Sequence, residues 1–429
     1  MMLALYQTIM RVSQPLLNSV LEKRLKAGKE HPERIDERRG LTHTPRPDGR
    51  LIWVHAASVG EAQSSLILIN RILKDDDDVH VLLTTGTLSS AALMAKNLPD
   101  RATHQFYPLD HPDWVGAFLD HWRPDTVLWM ESELWPNMLA EIKRRNIPAA
   151  LINARLSPAS LKWWKTVKGT AARLLSAFTI ILCQTETEAA AFKSLKHKNV
   201  KVTDNLKYSA KPLPVDYTAN EDTVTLMRAH IQNRPCWVYA STHKGEEALA
   251  AQIHKFLKVK FPDVLTIIIP RHPERADDIC EDLKDYGLTV QRRSTDNAAP
   301  NYDTDIYIAD TFGELGLFYR AAPIACIGRS FSIDGGGGHN PIEAAQLGCA
   351  VLHGPNVQNL QDIFDEMDYH KAAMMMDDEG ALAETLAELF TNTRALETMQ
   401  NTALTFVQNK SGVLETIIDH LTPLIKAKS

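Results

Sequence analysis

Apolar residues along this chain follow two alternating rhythms: short continuous runs, and longer stretches with helical spacing. From residue 51 to about 206, the runs Leu51–His55, Val79–Thr85, His104–Tyr107, Asp125–Met130, Ala149–Asn153, Thr179–Gln184 and Val200–Thr203 read as strands. Helix-like stretches separate most of them. Between Ala62 and Leu73, for instance, Leu66, Ile69, Ile72 and Leu73 recur as on one helix face. Such alternation implies βαβ crossovers and a parallel, doubly wound sheet. Lys207-Tyr-Ser-Ala-Lys-Pro212-Leu-Pro214 breaks the pattern with two prolines and reads as an interdomain linker. The alternation restarts with Trp237–Ser241, Leu265–Ile269, Thr289–Gln291, Asp305–Ala309, Ile324–Ile327 and Ala350–Leu352, and helices close the chain from about residue 379.

The expected division is an N-terminal segment over residues 1–50, a Rossmann-like domain over 51–210, and a second over 211–429 that includes the terminal helices. Two such halves facing a cleft make an α/β chain of GT-B architecture. Transferases, epimerases and phosphorylases share that architecture, so it fixes no function by itself.

The first 50 residues have a different character. Leu5, Ile9, Val12, Leu16 and Val20 fall on one helical face, with Leu17 and Leu21 beside it, and Arg11, Lys23, Arg24, Lys26 and Lys29 add positive charge. That pattern suits a helix lying on an anionic membrane surface, and equally an amphipathic helix packed on the body of the protein. Arg11, Gln14 and Pro15 interrupt any signal-peptide core. No run of about 18 apolar residues occurs, so no ordinary membrane-spanning helix is expected.

Net charge is -6 over 429 residues, which excludes a general nucleic-acid footprint. The five cysteines lie far apart without a C-x-x-C pair, so metal and disulfide frameworks are not expected. No Asp-x-Asp falls at a plausible site corner, and Asp303-Thr-Asp305, which precedes a buried strand, is expected at the surface.

Candidate chemistry gathers where strands give way to helices, the side of an open parallel sheet that binds ligands. His55-Ala-Ala-Ser-Val-Gly60-Glu61 is one such corner. Glu61 is a candidate base there, and a helix start would favour its ionised form. Ser58 and Glu61 also have capping-box spacing, in which the glutamate only closes the helix end. In the second half, Pro270-Arg271-His272-Pro-Glu-Arg275 places a guanidinium at a corner, able to grip a phosphate or to pair with an acidic neighbour. Asp310-Thr-Phe312-Gly313-Glu314 is another corner, where Glu314 accepts ligand hydroxyls or caps a helix. Gly335-Gly-Gly-Gly338-His339-Asn340-Pro341-Ile342-Glu343 reads as a flexible loop leading to a helix start.

These segments, with E-S-E-L-W-P-N at 131–137 and N-L-K-Y at 205–208, occur in an order that resembles the 3-deoxy-D-manno-octulosonic acid (Kdo) transferases of lipopolysaccharide assembly. The resemblance implies a metal-independent, inverting GT-B enzyme needing no cofactor beyond its donor, CMP-Kdo. It implies a lipid A precursor, lipid IVA, as acceptor, at the cytoplasmic face of the inner membrane. It assigns Glu61 as the base, and Glu131 and Lys207 to the neighbourhood of the transition state. Lys207 taken alone has an alternative reading as a surface charge at a hinge. CMP binding is assigned to Pro270 and Arg271, to Phe312, Gly313 and Glu314, and to Asn340, Pro341, Ile342 and Glu343. Three positions depart from the family pattern, Asp204 and Arg329 standing where glycine is usual and Ser209 where aspartate is usual, and the Ser332–Gly336 segment is longer than the pattern has it. A UDP-sugar enzyme of the same architecture, or a scaffold without turnover, are the competing classes; nucleotide preference and turnover separate them.

Overall fold

In a computed structural model, residues 2–131, 133–215, 221–231, 234–296, 299–332 and 335–426 are described; Ser132 of the E-S-E-L-W-P-N stretch lies outside them. The chain forms two units. The first comprises residues 1–210 and 412–429, and the second residues 211–411.

The first unit is built on β1 (Arg50–His55), β2 (Val79–Thr85), β3 (Ala102–Phe106), β4 (Thr126–Met130), β5 (Ala149–Ala154), β6 (Ile180–Cys183) and β7 (Val200–Val202). They pair in parallel in the order β3-β2-β1-β4-β5-β6-β7. Leu51, Trp53, Val54, Val127, Leu128 and Trp129 are wholly buried. Helices cover both faces of such a sheet, which explains why its strands are continuous apolar runs instead of alternating ones. After β3 the chain returns to the other side of β1, so the topological switch lies between β1 and β4.

The second unit carries β8 (Cys236–Thr242), β9 (Leu265–Pro270), β10 (Val290–Arg292), β11 (Ile306–Ile308), β12 (Ile324–Ile327), β13 (Ala350–His353) and β14 (Met374–Met375). Their order is β10-β11-β9-β8-β12-β13-β14, again all parallel, with the switch between β8 and β12. The units repeat one internal device. Trp53 on β1 donates its indole N–H to Thr84 on β2, and Trp237 on β8 donates to Thr266 on β9, both at 2.9 Å. Each bond lets a large aromatic fill the core without leaving its one polar atom unpaired.

The last helix corrects the expected division. Val413–Ile425 packs with the first unit, although the sequence grouped all terminal helices with the second. The Leu414 N–H donates to Ser209 Oγ at 2.9 Å, and Arg71 pairs with Glu415 at 2.8 Å. Arg50 and Thr126 donate to the carbonyls of Ile425 and Leu424. The apolar face of Ile417, Leu421 and Leu424 is buried in that union.

At the N-terminus lie α1 (Met2–Val12) and α2 (Gln14–Lys26). Leu3 and Leu21 are buried, and Tyr6 donates to Asp110 at 3.0 Å. Leu5, Ile9, Val12, Leu16 and Val20 instead remain 41–77% exposed. No helix among the described residues is long and apolar enough to cross a membrane.

Candidate active site

At the carboxyl end of β1, Ser58 caps α3 (Val59–Asp75) and turns Glu61 back over the corner. Glu61 Oε2 accepts the Ala57 N–H at 2.9 Å, and Glu61 Oε1 accepts the Ser58 hydroxyl at 2.9 Å. The Ser58 hydroxyl oxygen in turn accepts the Glu61 N–H at 3.3 Å. Glu61 is therefore a helix cap and a site candidate at once. The residue is 8% exposed, and burial together with the charge of Glu131 pushes its pKa up to about 7. This reverses the expected bias toward ionisation. Desolvation and a second carboxylate outweigh the helix start and the two hydrogen bonds.

Glu131 follows β4, the strand across the switch from β1, and takes a left-handed φ of 54°. It is buried, and Arg155 Nε lies 3.2 Å from its Oε2. Lys207 stands in a short 3-10 turn, Leu206–Ser209, between buried Leu206 and Tyr208. Burial lowers its pKa, while Glu131 and Glu61 raise it and Arg155 lowers it. Two carboxylates and two cations thus share the carboxyl end of one sheet at its topological switch. Lys207 is not a hinge surface charge, and the prolines that suggested a linker begin only after this turn.

Two contributors escaped the sequence reading. Arg155 is one. The other is an amide chain at the ends of β5, β6 and β7 that fixes the Lys207 turn. Asn153 Oδ1 accepts the Leu206 N–H at 2.9 Å, and Gln184 Nε2 donates to the Asn153 carbonyl at 2.9 Å. Asn205 Nδ2 donates to Gln184 Oε1, and Asn205 Oδ1 accepts the Lys207 N–H. The available signal was polar residues, Asn153 and Gln184, closing otherwise apolar strand runs. His55, by contrast, is core: it is buried against Tyr107 and Trp129, bonded to Thr84, and its pKa is pushed down to about 3 by burial.

In the second unit the candidates divide. Pro270 ends β9, and the Arg271 N–H is fixed on the Thr242 carbonyl at 3.0 Å. Arg275, not Arg271, takes the acidic partner, pairing with Glu247 at 3.0 Å, so the Arg271 head group stays exposed. Asn340 Oδ1 accepts the Ile342 N–H at 3.2 Å and Asn340 Nδ2 donates to Glu343 Oε1 at 3.0 Å. Burial raises the Glu343 pKa, and Arg271 counters that. Arg271 and the Asn340–Glu343 stretch thus converge. Glu314 is differently occupied: Arg293 donates to both of its oxygens, at 3.0 and 2.7 Å, and Thr311 to one. Gly313 takes φ 85° and Phe312 is exposed beside it.

The glycine run is not a loose loop. Gly335 to Gly338 all have positive φ, and a side chain at Gly336 or Gly337 would collide with Asn356 or Asn359. The backbone is tied down by Gly337 N–H to Asn356 O, Gly338 N–H to Arg329 O and His339 N–H to Gly328 O. Asp305, expected at the surface, is buried beside Lys258 and His254 and accepts the Thr289 N–H.

Comparison with known proteins places the chain in a family. Residues 33–210 match the family model described as 3-Deoxy-D-manno-octulosonic-acid transferase (kdotransferase). The chain is similar to the 3-deoxy-D-manno-octulosonic acid transferase of Rickettsia bellii, with 34% identity covering 98% of this chain and 99% of that protein. A Haemophilus influenzae protein of the same name is 29% identical, covering 98% of each chain. Among solved structures, UDP-GlcNAc 2-epimerase from Neisseria meningitidis matches with TM-score 0.58 and 14% identity, covering 87% of this chain and all of that one. That likeness speaks for the GT-B fold alone.

Proposed function

Because the chain belongs to the Kdo transferase family, a family of glycosyltransferases, we propose that it transfers Kdo from CMP-Kdo to a lipid A precursor, lipid IVA, with inversion and release of CMP. The observation that carries the mechanism is the Glu61, Glu131, Arg155 and Lys207 group at the β1/β4 switch. Glu61 takes the proton of the acceptor hydroxyl. The oxygen attacks the anomeric carbon of Kdo, and the bond from that carbon to the phosphate oxygen breaks, its electron pair leaving with CMP. A carboxyl held near pH 7 is suited to that exchange, since it is a usable base at neutral pH and releases the proton afterwards. Glu131 raises the basicity of Glu61 and orients Arg155, while Lys207 and Arg155 offer positive charge to the donor's carboxylate.

Arg271 and the Asn340–Glu343 corner supply the CMP side, Arg271 meeting the phosphate and Glu343 accepting ribose hydroxyls. Pro270 and Phe312–Glu314 complete that face. Protein cations do the work a divalent ion does in other glycosyltransferases, so the transfer needs no metal and no cofactor beyond its donor. The exposed apolar face of α1 and α2 lies on the inner-membrane surface at its cytoplasmic side, where the acceptor resides.

The test is purified protein with CMP-Kdo and lipid IVA, in the presence of a chelator, read by lipid mass. A mass gain of one or more Kdo units, absent with Glu61→Ala, supports the reading; no gain, or a gain that the variant keeps, defeats it. Replacing Val12 and Leu16 by Asp tests the membrane face. Vesicle binding should fall at least tenfold while Tm holds, because both side chains are exposed; unchanged binding rejects it.

A further inference from the structure

The second unit holds a cluster of protonatable and cationic side chains that the assignments above leave out. β8 ends in a register shift at Ser241, whose φ is 62°, and this throws the next residues over the sheet's carboxyl edge. β12 approaches so closely there that a Cβ on Gly328 would meet the Ser241 carbonyl oxygen at 2.5 Å. Glu246 then ties the two strand ends together. One of its oxygens accepts the N–H groups of His243, at 2.9 Å, and Arg329, at 2.7 Å; the other accepts the Phe331 N–H and the Tyr239 hydroxyl. The consequence is a pair of imidazoles, His243 from β8 and His339 from the glycine loop. Their Nε2 atoms stand 3.0 Å apart and their planes are inclined by 23°.

Two guanidiniums and a third imidazole flank the pair. His272 lies edge-on to His243 with ring centroids 5.9 Å apart, and Arg271 and Arg329 act on His339. Among the described residues, Glu246 is engaged with the N–H groups above, Glu274 with His272, and Glu343 with Asn340. An Nε2···Nε2 contact of this length needs one proton between the rings, donated by one and accepted by the other. A second proton places two like charges in contact, and burial followed by the His243 charge holds the His339 pKa down at about 3. An anion seated against the rings removes that penalty.

We infer that His243 and His339 form an anion subsite at the β8/β12 switch, which takes up a proton as it binds the phosphate of the nucleotide donor. Glu246 is its positioning residue. The inference rests on the donor reading above. The proton comes from solvent and goes to the imidazole pair, turning the bond between the rings into two N–H donors aimed at the ligand. Charge-assisted bonds of this kind are the stronger class.

The test is calorimetric titration of the full chain with CMP, at pH 6.5 and 8.0, in two buffers of different ionisation enthalpy. Wild type and His243→Asn are compared, so that the proton linkage of CMP itself is common to both. We expect the variant to bind CMP about tenfold or more weakly at pH 6.5. It should also take up less proton than wild type and lose most of the gain in affinity on acidification. Equal affinity and proton uptake in the two proteins overturn the subsite and leave the donor reading intact. No CMP binding by wild type overturns both. Glu246→Asp, which keeps the carboxylate but shortens its reach, should weaken CMP binding while leaving proton uptake per bound CMP nearer to wild type; an effect on proton uptake equal to that of His243→Asn removes Glu246 from its positioning role.

Discussion

The two units put a glutamate at the same corner, and they treat it in opposite ways. Each has a first strand, a short turn and a helix whose first-turn glutamate reaches back to the turn: Glu61 to the Ala57 N–H, Glu246 to the His243 N–H. Glu246 then collects two more N–H groups and a tyrosine hydroxyl. Glu61 receives one more partner, the Ser58 hydroxyl, and faces a second carboxylate, Glu131. Burial raises the pKa of both carboxyls, but in Glu246 its four donors oppose the rise and make it a clamp, and moving a proton onto it would break the bonds that hold the loops. A carboxyl with two donors and a like-charged neighbour is left near the balance point between its two protonation states. Capping geometry therefore does not decide between structure and chemistry; the remaining lone pairs and the nearest charge do.

Exchanging the two glutamates for neutral residues should split activity from stability. Glu61→Gln removes the base and should lower kcat by about 10²–10⁴-fold in the lipid-mass assay, with cooperative unfolding retained. A loss below tenfold would place the base elsewhere. Glu246→Ala leaves three backbone N–H groups in a buried corner without their acceptor, at about 1–3 kcal/mol each where water cannot replace it. The second unit should lose roughly 3 kcal/mol or more, seen as a Tm lower by about 6 °C or beyond. If Glu246→Ala unfolds no earlier than wild type, the clamp is not one.

Sequence alone carried the frame of this comparison and missed its content. Thirteen strands were legible, most of them because a sheet covered on both faces demands continuous apolar runs; β14 was not, being two exposed methionines on an edge. The final helix was read as helical and assigned to the wrong unit, because nothing local in Val413–Ile425 names the surface that buries it. Glu61 could be placed at a strand-to-helix corner from its neighbours. The direction of its pKa could not, since that depends on Glu131, which is distant in sequence and adjacent only across the switch. Arg155 and the Asn153–Gln184–Asn205 chain were invisible for the same reason: their role exists only once β5, β6 and β7 lie side by side. Asp305 looked like surface because its charge suggested it, and Lys258 holds it buried instead.

The Glu61–Glu131 coupling should appear in both rate and stability. Glu61 titrates near 7 in the folded chain and, unfolded, near the ordinary 4.5. Between those values the folded state holds the extra proton, so this group's contribution to stability is full below about pH 4.5 and is lost as pH rises through 7. The loss approaches about 3 kcal/mol. Denaturant unfolding of Glu61→Gln should therefore exceed wild type in stability at pH 8 and lose most of that advantage at pH 5. For the rate, kcat/KM should fall below pH 7 as Glu61 protonates. Glu131→Gln removes the raising charge and should move that limb to lower pH, by about one unit or less. A limb that stays in place would mean burial alone sets the Glu61 pKa.

The smallest effect concerns backbone strain at one non-glycine position in each unit. Asp204 has φ 62° in the first unit and Arg329 has φ 59° in the second. The left-handed region costs an ordinary L-residue about 1–2 kcal/mol, while aspartate visits it readily through local hydrogen bonds. Glycine gives back roughly 0.5–1 kcal/mol through the entropy of its unfolded chain. Arg329→Gly should thus stabilise by about 1 kcal/mol or less, helped because Arg329 Nε is buried without a hydrogen-bond partner among the described residues. Asp204→Gly should lie within about 0.5 kcal/mol of wild type. Urea unfolding of the two variants separates the cases. A gain at Asp204 equal to that at Arg329 would mean the aspartate is as strained as the arginine. A loss at Arg329 would mean its guanidinium contributes more to the second unit than its left-handed backbone costs.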